Sequence, residues 1–332
     1  MSRVESKQSG NEYQVVVIGG GAAGLSAAVT LGRALRSVLV IDAGEPRNAP
    51  AAGVHGFLSR DGIKPQELLE KGREEARSYG VDFLAGVAVA ARSTAAEGSE
   101  LSFDVELADG RTVKTRRILV ATGLTDVLPG IDGIRERWGR DVLHCPYCHG
   151  WEVRNKAIGI LGSVPMALHQ TMLFRQWSPN ITLFLNDVVE PTDEELEQLA
   201  ARSISVVEGK VQSLDIQDDA LSGMVLASGT VIPVEAVVTG TRLEARSAVL
   251  ESLGVPVVEH PMGVGRHVEV NPMGGATAVP GVWAAGNVAD LMGQVMASAA
   301  SGVMSGAAIN AHLVAEESRV AVQAARLSTL PD

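Results

Sequence analysis

Gln14-Val-Val-Val-Ile-Gly-Gly-Gly-Ala-Ala-Gly24 decides how this chain is read. Val15 to Ile18 form a continuous apolar run, as in a parallel strand buried on both faces. The run breaks into Gly19-x-Gly21-x-x-Gly24, and an apolar-periodic helix is predicted from Ala22 to about Leu35. A second apolar strand over 37–41 leads into Asp42, 23 residues after Gly19. That is the spacing of a ribose-binding acid in a βαβ unit. A lone G-x-G-x-x-G is weak and could be a glycine-rich turn of an unrelated α/β fold. With the strand before it, the helix after it and the acid at the next strand's end, it reads as a dinucleotide site. Glycines let backbone approach a pyrophosphate, and the helix N-terminus offers free N–H groups and a positive dipole end.

Outward from that motif, 332 residues allow about two domains, each with its own core. Hydrophobic residues make up 46% and charged residues 20%, the proportions of a globular chain. A formal net charge of −11 argues against nucleic acid or anionic membrane as the main partner. Residues 1–11 are polar without an apolar h-region, and no apolar run reaches ~18 residues. Neither a signal peptide nor a membrane span is read, and a cytoplasmic location is expected.

Residues 61–79 read as a helix, followed by short strands with turns at Gly98 and Asp109-Gly110. Residues 117–123 are a strand ending in Ala121-Thr122-Gly123. A second βα unit follows, with a strand over 157–161, a helix over 167–177 and a strand over 181–185. Residues 256–275 are rich in Pro and Gly and read as mostly loop. Residues 280–290 are a short strand running into a glycine-rich turn, with a small-residue helix from Gln294. The spacing of Met292, Met296 and Met304 reads as helix core.

The chain's two cysteines lie three apart, in His144-Cys145-Pro-Tyr-Cys148-His149-Gly150. A disulfide-stapled protein would spread an even set along its length, so redox chemistry is the better reading. C-x-x-C-H is also the attachment motif of c-type haem, a modification that needs export. Zinc needs four ligands in a closed tetrahedron, which two cysteines with His144 and His149 do not easily supply, and no metal is expected. An inert buried pair is the remaining alternative. His144 can be structural and His55 a satisfied loop residue, while His169, His260, His267 and His312 read as ordinary. Aromatic residues, at 4%, offer no evident stacking platform.

In their order, the 19–24 glycine turn, Ala121-Thr122-Gly123, Cys145/Cys148 and Gly281-Val-Trp-Ala-Ala-Gly286-Asn287 with Gln294 resemble the low-molecular-weight thioredoxin reductases. The resemblance covers nearly the whole chain. It implies an α/β fold of two Rossmann-like domains of the three-layer ββα type. An FAD domain at 1–125 and 242–332 would be split by an inserted, degenerate NADPH-like domain at 126–241 that carries the C-x-x-C. It also implies FAD as cofactor and a homodimer. Carried over by position, Gly19, Gly20, Gly21, Ala22, Ala23 and Gly24 face the FAD pyrophosphate, and Asp42 with Ala43 the adenosine ribose. Ala121, Thr122, Gly123, Gly286, Asn287, Gln294 and Val295 surround the ribityl chain and flavin, with Arg47 and His55 as further FAD contacts. The family usually has Gly-Asp where this chain has Gly286-Asn287, which keeps hydrogen bonding but loses the charge.

Two departures point to a narrower group. The family's second nucleotide turn is G-x-G-x-x-A, but here it is Gly162-Ser-Val164-Pro165-Met-Ala167. Val164 sets a β-branched side chain where backbone should approach pyrophosphate, and Pro165 removes an N–H. Acidic residues follow in Leu185-Asn-Asp-Val-Val-Glu190, where a 2′-phosphate would need basic ones. The redox motif is C-P-Y-C-H in place of the usual C-A-T-C-D. Together these resemble the FAD-dependent dithiol oxidases of holomycin, gliotoxin and romidepsin biosynthesis. What that implies is oxidation of a small-molecule dithiol by O2, giving H2O2, without NADPH. Cys145 and Cys148 would be the redox pair, His149 the general base and His144 a further catalytic residue. Rival readings are an NADPH- or ferredoxin-dependent thioredoxin reductase and a non-enzymatic flavin redox sensor.

Overall fold

A computed structural model describes residues 12–96 and 100–328. The polar stretch 1–11 and the turn expected at Gly98 lie outside them. The chain divides into two compact units. Unit 1 comprises residues up to Arg47, Gln66–Thr125 and the chain from Glu244; unit 2 comprises Asn48–Pro65 and Asp126–Leu243.

The first elements are β1 (Glu12–Ile18), α1 (Ala22–Arg33), β2 (Val38–Asp42), α2 (Pro65–Ser78), β3 (Asp82–Ala85), β4 (Ala88–Ser93), β5 (Phe103–Leu107) and β6 (Thr112–Val120). Their sheet has the order β3-β2-β1-β6-β5-β4. Strands β3, β2, β1 and β6 are parallel, and β6-β5-β4 run back antiparallel. The strand Val282–Ala284 adds parallel to the far half of β6, opposite Ile118 to Val120. Because side chains alternate across a strand, Val15 and Val17 join a core with α1, while Val16 and Ile18 join a second core with β5 and the strand Val282–Ala284. All four are buried, each stabilising the sheet by about 2 kcal/mol. The helix predicted from Ala22 stops two residues short of Leu35, which takes the left-handed φ of 60°.

The C-terminal helix Val295–Ser328 packs on α1. A Cβ at Gly302 would overlap the Ala23 carbonyl oxygen, and one at Gly306 would lie 3.0 Å from that of Ala27. Contact this close leaves no room for long side chains, which corrects the reading of the methionines as core. Met296 and Met304 project from the other side, 38% and 54% exposed, and Met292 is exposed in the turn before the helix. Wholly buried Arg117 of β6 donates to Glu316 at 2.8 Å and fixes the helix to the sheet. The 256–275 segment is mostly loop as expected, with one short hairpin in it, where Val257–Glu259 and Gly265–Val268 pair antiparallel.

Unit 2 repeats the βα design. Its parallel sheet has the order Ser205–Val207, Ile181–Phe184, Ile158–Leu161, Ala236–Thr239, Val142–Leu143. Helices Ala167–Phe174 and Asp193–Ala201 follow the strands Ile158–Leu161 and Ile181–Phe184, and a three-stranded antiparallel meander (Val211–Gln217, Ala220–Leu226, Val231–Pro233) completes the unit. The architecture is α/β with two Rossmann-like units. No helix among the described residues is long and apolar enough to cross a membrane.

Candidate active site

Unit 1 gathers its glycine turn, the segment 121–123 and the turn at 286–287 around the N-terminus of α1. Gly19 has a φ of 107°, and a Cβ there would overlap the Ala121 carbonyl oxygen. At Gly24 a Cβ would overlap the Gly19 carbonyl oxygen, so the turn closes only with glycine at both positions. Gly286, with a φ of 73°, leaves 2.9 Å between a hypothetical Cβ and the Ala23 Cβ. Gly21, by contrast, has no atom within 4 Å of the Cβ position and faces open space. No side chain caps α1 and no acid sits in its first turn, so the helix-end N–H groups of Ala22 and Ala23 face that space with their dipole uncompensated. Such a cradle fits a dinucleotide pyrophosphate.

Around the cradle, Asp42 accepts from the Gly20 N–H and from Arg73, each at 3.0 Å. The carboxylate expected at the ribose thus also clamps the glycine turn. Ala43 beside it is exposed. Thr122 donates to the Arg246 carbonyl at 2.6 Å, and the Gly123 carbonyl accepts from the Arg246 N–H at 3.0 Å. Asn287 spends its amide donor on the carbonyls of Asp290 and Gly293, at 2.8 and 2.7 Å. It thereby shapes the turn that presents Gln294 and Val295 at the start of the C-terminal helix. Arg47 ends the first segment of unit 1. His55 belongs to unit 2, where Nε2 lies 3.5 Å from Glu152 and Nδ1 lies 3.4 Å from Asp61.

In unit 2, Cys145 and Cys148 form a disulfide. Cys145 is the N-cap of the short helix Pro146–His149, and its Sγ accepts from the Cys148 N–H at 3.2 Å. Pro146 at the first helical position costs no hydrogen bond and presets the turn. His149 follows directly; neither of its buried ring nitrogens has a hydrogen-bond partner among the described residues. Burial pushes its pKa below the usual imidazole value, Glu152 opposes the shift, and His55 and His144 add to it. Burial thus favours the neutral imidazole at the residue that directly follows Cys148. The His144 carbonyl accepts from Gln170 at 3.3 Å, which anchors the strand-to-helix approach.

The second βα turn is built differently from the first. A Cβ at Gly240 would overlap Val164, so the valine fills the space against that backbone. Ser163 donates to the Gly240 carbonyl at 2.9 Å. Asn186, past the end of the strand Ile181–Phe184, donates to the Gly162 carbonyl at 3.1 Å and accepts from the Val211 N–H at 2.9 Å. Side chains and loop thus occupy the place where the first turn is open.

Sequence reading missed two groups. Glu152 carries no motif signal, and only its place one turn past His149 could have drawn notice. Tyr147, Trp177 and Phe174 are in ring-to-ring contact at the redox turn, although overall aromatic content suggested no platform.

Comparisons with known proteins agree with this architecture. The profile of the pyridine nucleotide-disulphide oxidoreductase family matches residues 13–306. The protein named thioredoxin reductase sirT from Leptosphaeria maculans is 30% identical over 315 residues, covering 90% of this chain and 93% of that protein. The crystal structure of HlmI superposes with a TM-score of 0.90 at 43% identity, covering 96% of this chain and 98% of that one. An oxidoreductase from Agrobacterium tumefaciens superposes with a TM-score of 0.84 at 37% identity, covering 91% and 99%.

Proposed function

This chain belongs to the pyridine nucleotide-disulphide oxidoreductase family and is an FAD-binding flavoprotein, and from that premise we propose that it is a dithiol oxidase. It would close an intramolecular disulfide in a small-molecule dithiol, with O2 as acceptor and H2O2 as the other product. The observation that carries the reading is the contrast between the two βα turns, one open at Gly21 and the other filled by Val164 and tied by Asn186. A chain with an intact redox turn and a closed second nucleotide turn takes its electrons from thiols.

Bound FAD supplies the two-electron acceptor that oxygen regenerates. The chain's own residues handle sulfur and protons. A substrate thiol gives its proton to His149, whose lowered pKa keeps the imidazole neutral at pH 7. The thiolate attacks Cys145, the outer sulfur by resemblance, and Cys148 departs as thiolate. The second substrate thiolate then attacks the substrate sulfur of the mixed disulfide, and Cys145 leaves. Stabilisation of that leaving thiolate comes from the Cys148 N–H at 3.2 Å, because a hydrogen bond to the charged form lowers a thiol pKa.

Anaerobic titration tests the direction of flow. Dithiothreitol should bleach the flavin fully and NADPH should leave it oxidised; in air, one peroxide should form per dithiol consumed. Bleaching by NADPH would sink the proposal.

The His149 assignment makes a separate prediction. The acid limb of the saturating rate of dithiol-driven flavin reduction should fall below pH 6.5, since the base is depressed from that value. His149→Asn should remove the limb and slow the step by about a hundredfold. A limb unchanged in the variant would assign the base elsewhere.

A further inference from the structure

Asp42, at the end of β2, is held by three hydrogen bonds. Its carbonyl accepts from the Gly86 N–H, its Oδ1 from the Gly20 N–H and its Oδ2 from the Arg73 guanidinium, each at 3.0 Å. A Cβ at Gly20 would fall 2.7 Å from the carboxyl carbon, so the carboxylate packs against the backbone of the glycine turn. The Asp42 and Arg73 side chains are only 22% and 21% exposed. Arg73 comes from α2, whose inner face approaches α1 closely. A Cβ at Gly72 would lie 3.0 Å from Leu25, and Leu69 and Ala76 on the same face are buried. Glycine inside a helix is unfavourable relative to alanine. What it permits here is the approach that carries the next residue, Arg73, to Asp42. The other terminal nitrogen of Arg73 donates to Glu70 at 3.4 Å, which ties the guanidinium at a second point.

Resting on the first glycine turn as the FAD cradle, and independently of any dithiol chemistry, we propose that Arg73 is a positioning residue for the adenosine ribose of FAD, acting through Asp42. The last torsion of an aspartate side chain is broad, so one hydrogen bond leaves the plane of its carboxylate unset. Gly20 holds one oxygen and Arg73 the other, and together they fix that plane. An ionised carboxylate has about four acceptor sites, two on each oxygen. Gly20 and Arg73 occupy one on each, which leaves one on each for a ligand. The 2′- and 3′-hydroxyls of a ribose are two donors side by side, the match for two such sites. Hydrogen bonds to a charged acceptor are the strong ones, and they gain most when the acceptor is oriented before the ligand arrives. A role in fold stability alone is the weaker account, because a partly exposed ion pair adds little to stability.

The test titrates apo-protein with FAD and with the FAD analogue built on 2′-deoxyadenosine, reading flavin fluorescence. The wild type should bind FAD about tenfold more tightly than the analogue, the effect of one hydrogen bond to a charged acceptor. Arg73→Gln should weaken FAD about fivefold and leave the analogue nearly unchanged, so that the ratio falls to about two. Arg73→Met, which keeps the packing of the stem without the donors, repeats the measurement should the glutamine variant fail to fold. Arg77→Gln removes the other partner of Glu70, bound at 3.2 Å, and should leave the tenfold ratio as it is. A ratio that stays at its wild-type value in the Arg73 variants, even where both ligands bind more weakly, would make Arg73 a structural residue and overturn the proposal. Equal affinities for the two ligands in the wild type would instead remove Asp42 from the ribose, and the placing of FAD on this turn would fall before any question of Arg73.

Discussion

Cys148→Ser should abolish dithiol oxidation, by at least about a thousandfold, while the purified protein stays yellow. Serine is close in size, and the Cys148 N–H that bonds Cys145 belongs to the backbone, so the turn itself survives the change. What disappears is the leaving sulfur. Without a Cys145–Cys148 bond there is no electrophilic sulfur for a substrate thiolate to attack, and no dithiol to hand an electron pair onward. The glycine cradle we propose for FAD lies in unit 1 and the cysteines in unit 2, so cofactor content should be unaffected. Visible absorbance and peroxide release on the same sample provide the check. A colourless variant, or one that still turns over, would contradict the assignment of roles.

The second large effect is expected at Gly24. Alanine there places a methyl group on the Gly19 carbonyl oxygen, so either α1 shifts or the glycine turn opens. Overpacking of this kind costs about 3 kcal/mol. It also moves the helix-end N–H groups that the pyrophosphate would meet. Gly24→Ala should therefore be colourless and lower in Tm. Gly21→Ala is the matched control, since no atom lies within 4 Å of its Cβ. That variant should keep the apo-protein Tm and still lose flavin, because its methyl group enters the cradle itself. Full flavin retention in the Gly21→Ala variant would mean that the cofactor sits elsewhere.

Local signals made the first βα unit and the redox turn legible. The Val15 to Ile18 run, the glycine spacing and the pair Cys145/Cys148 each carry their meaning within a few residues of chain. The α1 boundary and the 256–275 hairpin were less clear, because they depend on a single left-handed residue and on cross-strand pairing that composition does not encode. Reading the methionines as core failed for a tertiary reason: the buried face of the last helix is set by the backbone of α1, which only small residues can approach. Asn186 and Trp177 were invisible for a similar reason. Their partners, Val211 and Tyr147, are brought to them by the sheet and helix of unit 2. Val164 was the exception, since a β-branched side chain in a phosphate turn declares its consequence in the sequence.

The contact between α1 and the C-terminal helix bears on the order of events at the ribosome. Every strand and helix of unit 2 has been synthesised by Leu243, so that unit can fold while the chain is still growing. Unit 1 cannot, because its central sheet waits for Val282–Ala284 and α1 waits for Gly302 and Gly306. The cradle's last wall, at Gly286 against Ala23, also arrives late. Flavin loading therefore waits for the C-terminal helix, and a nascent chain stalled before residue 282 would carry a finished thiol–disulfide module with no completed cradle to serve it.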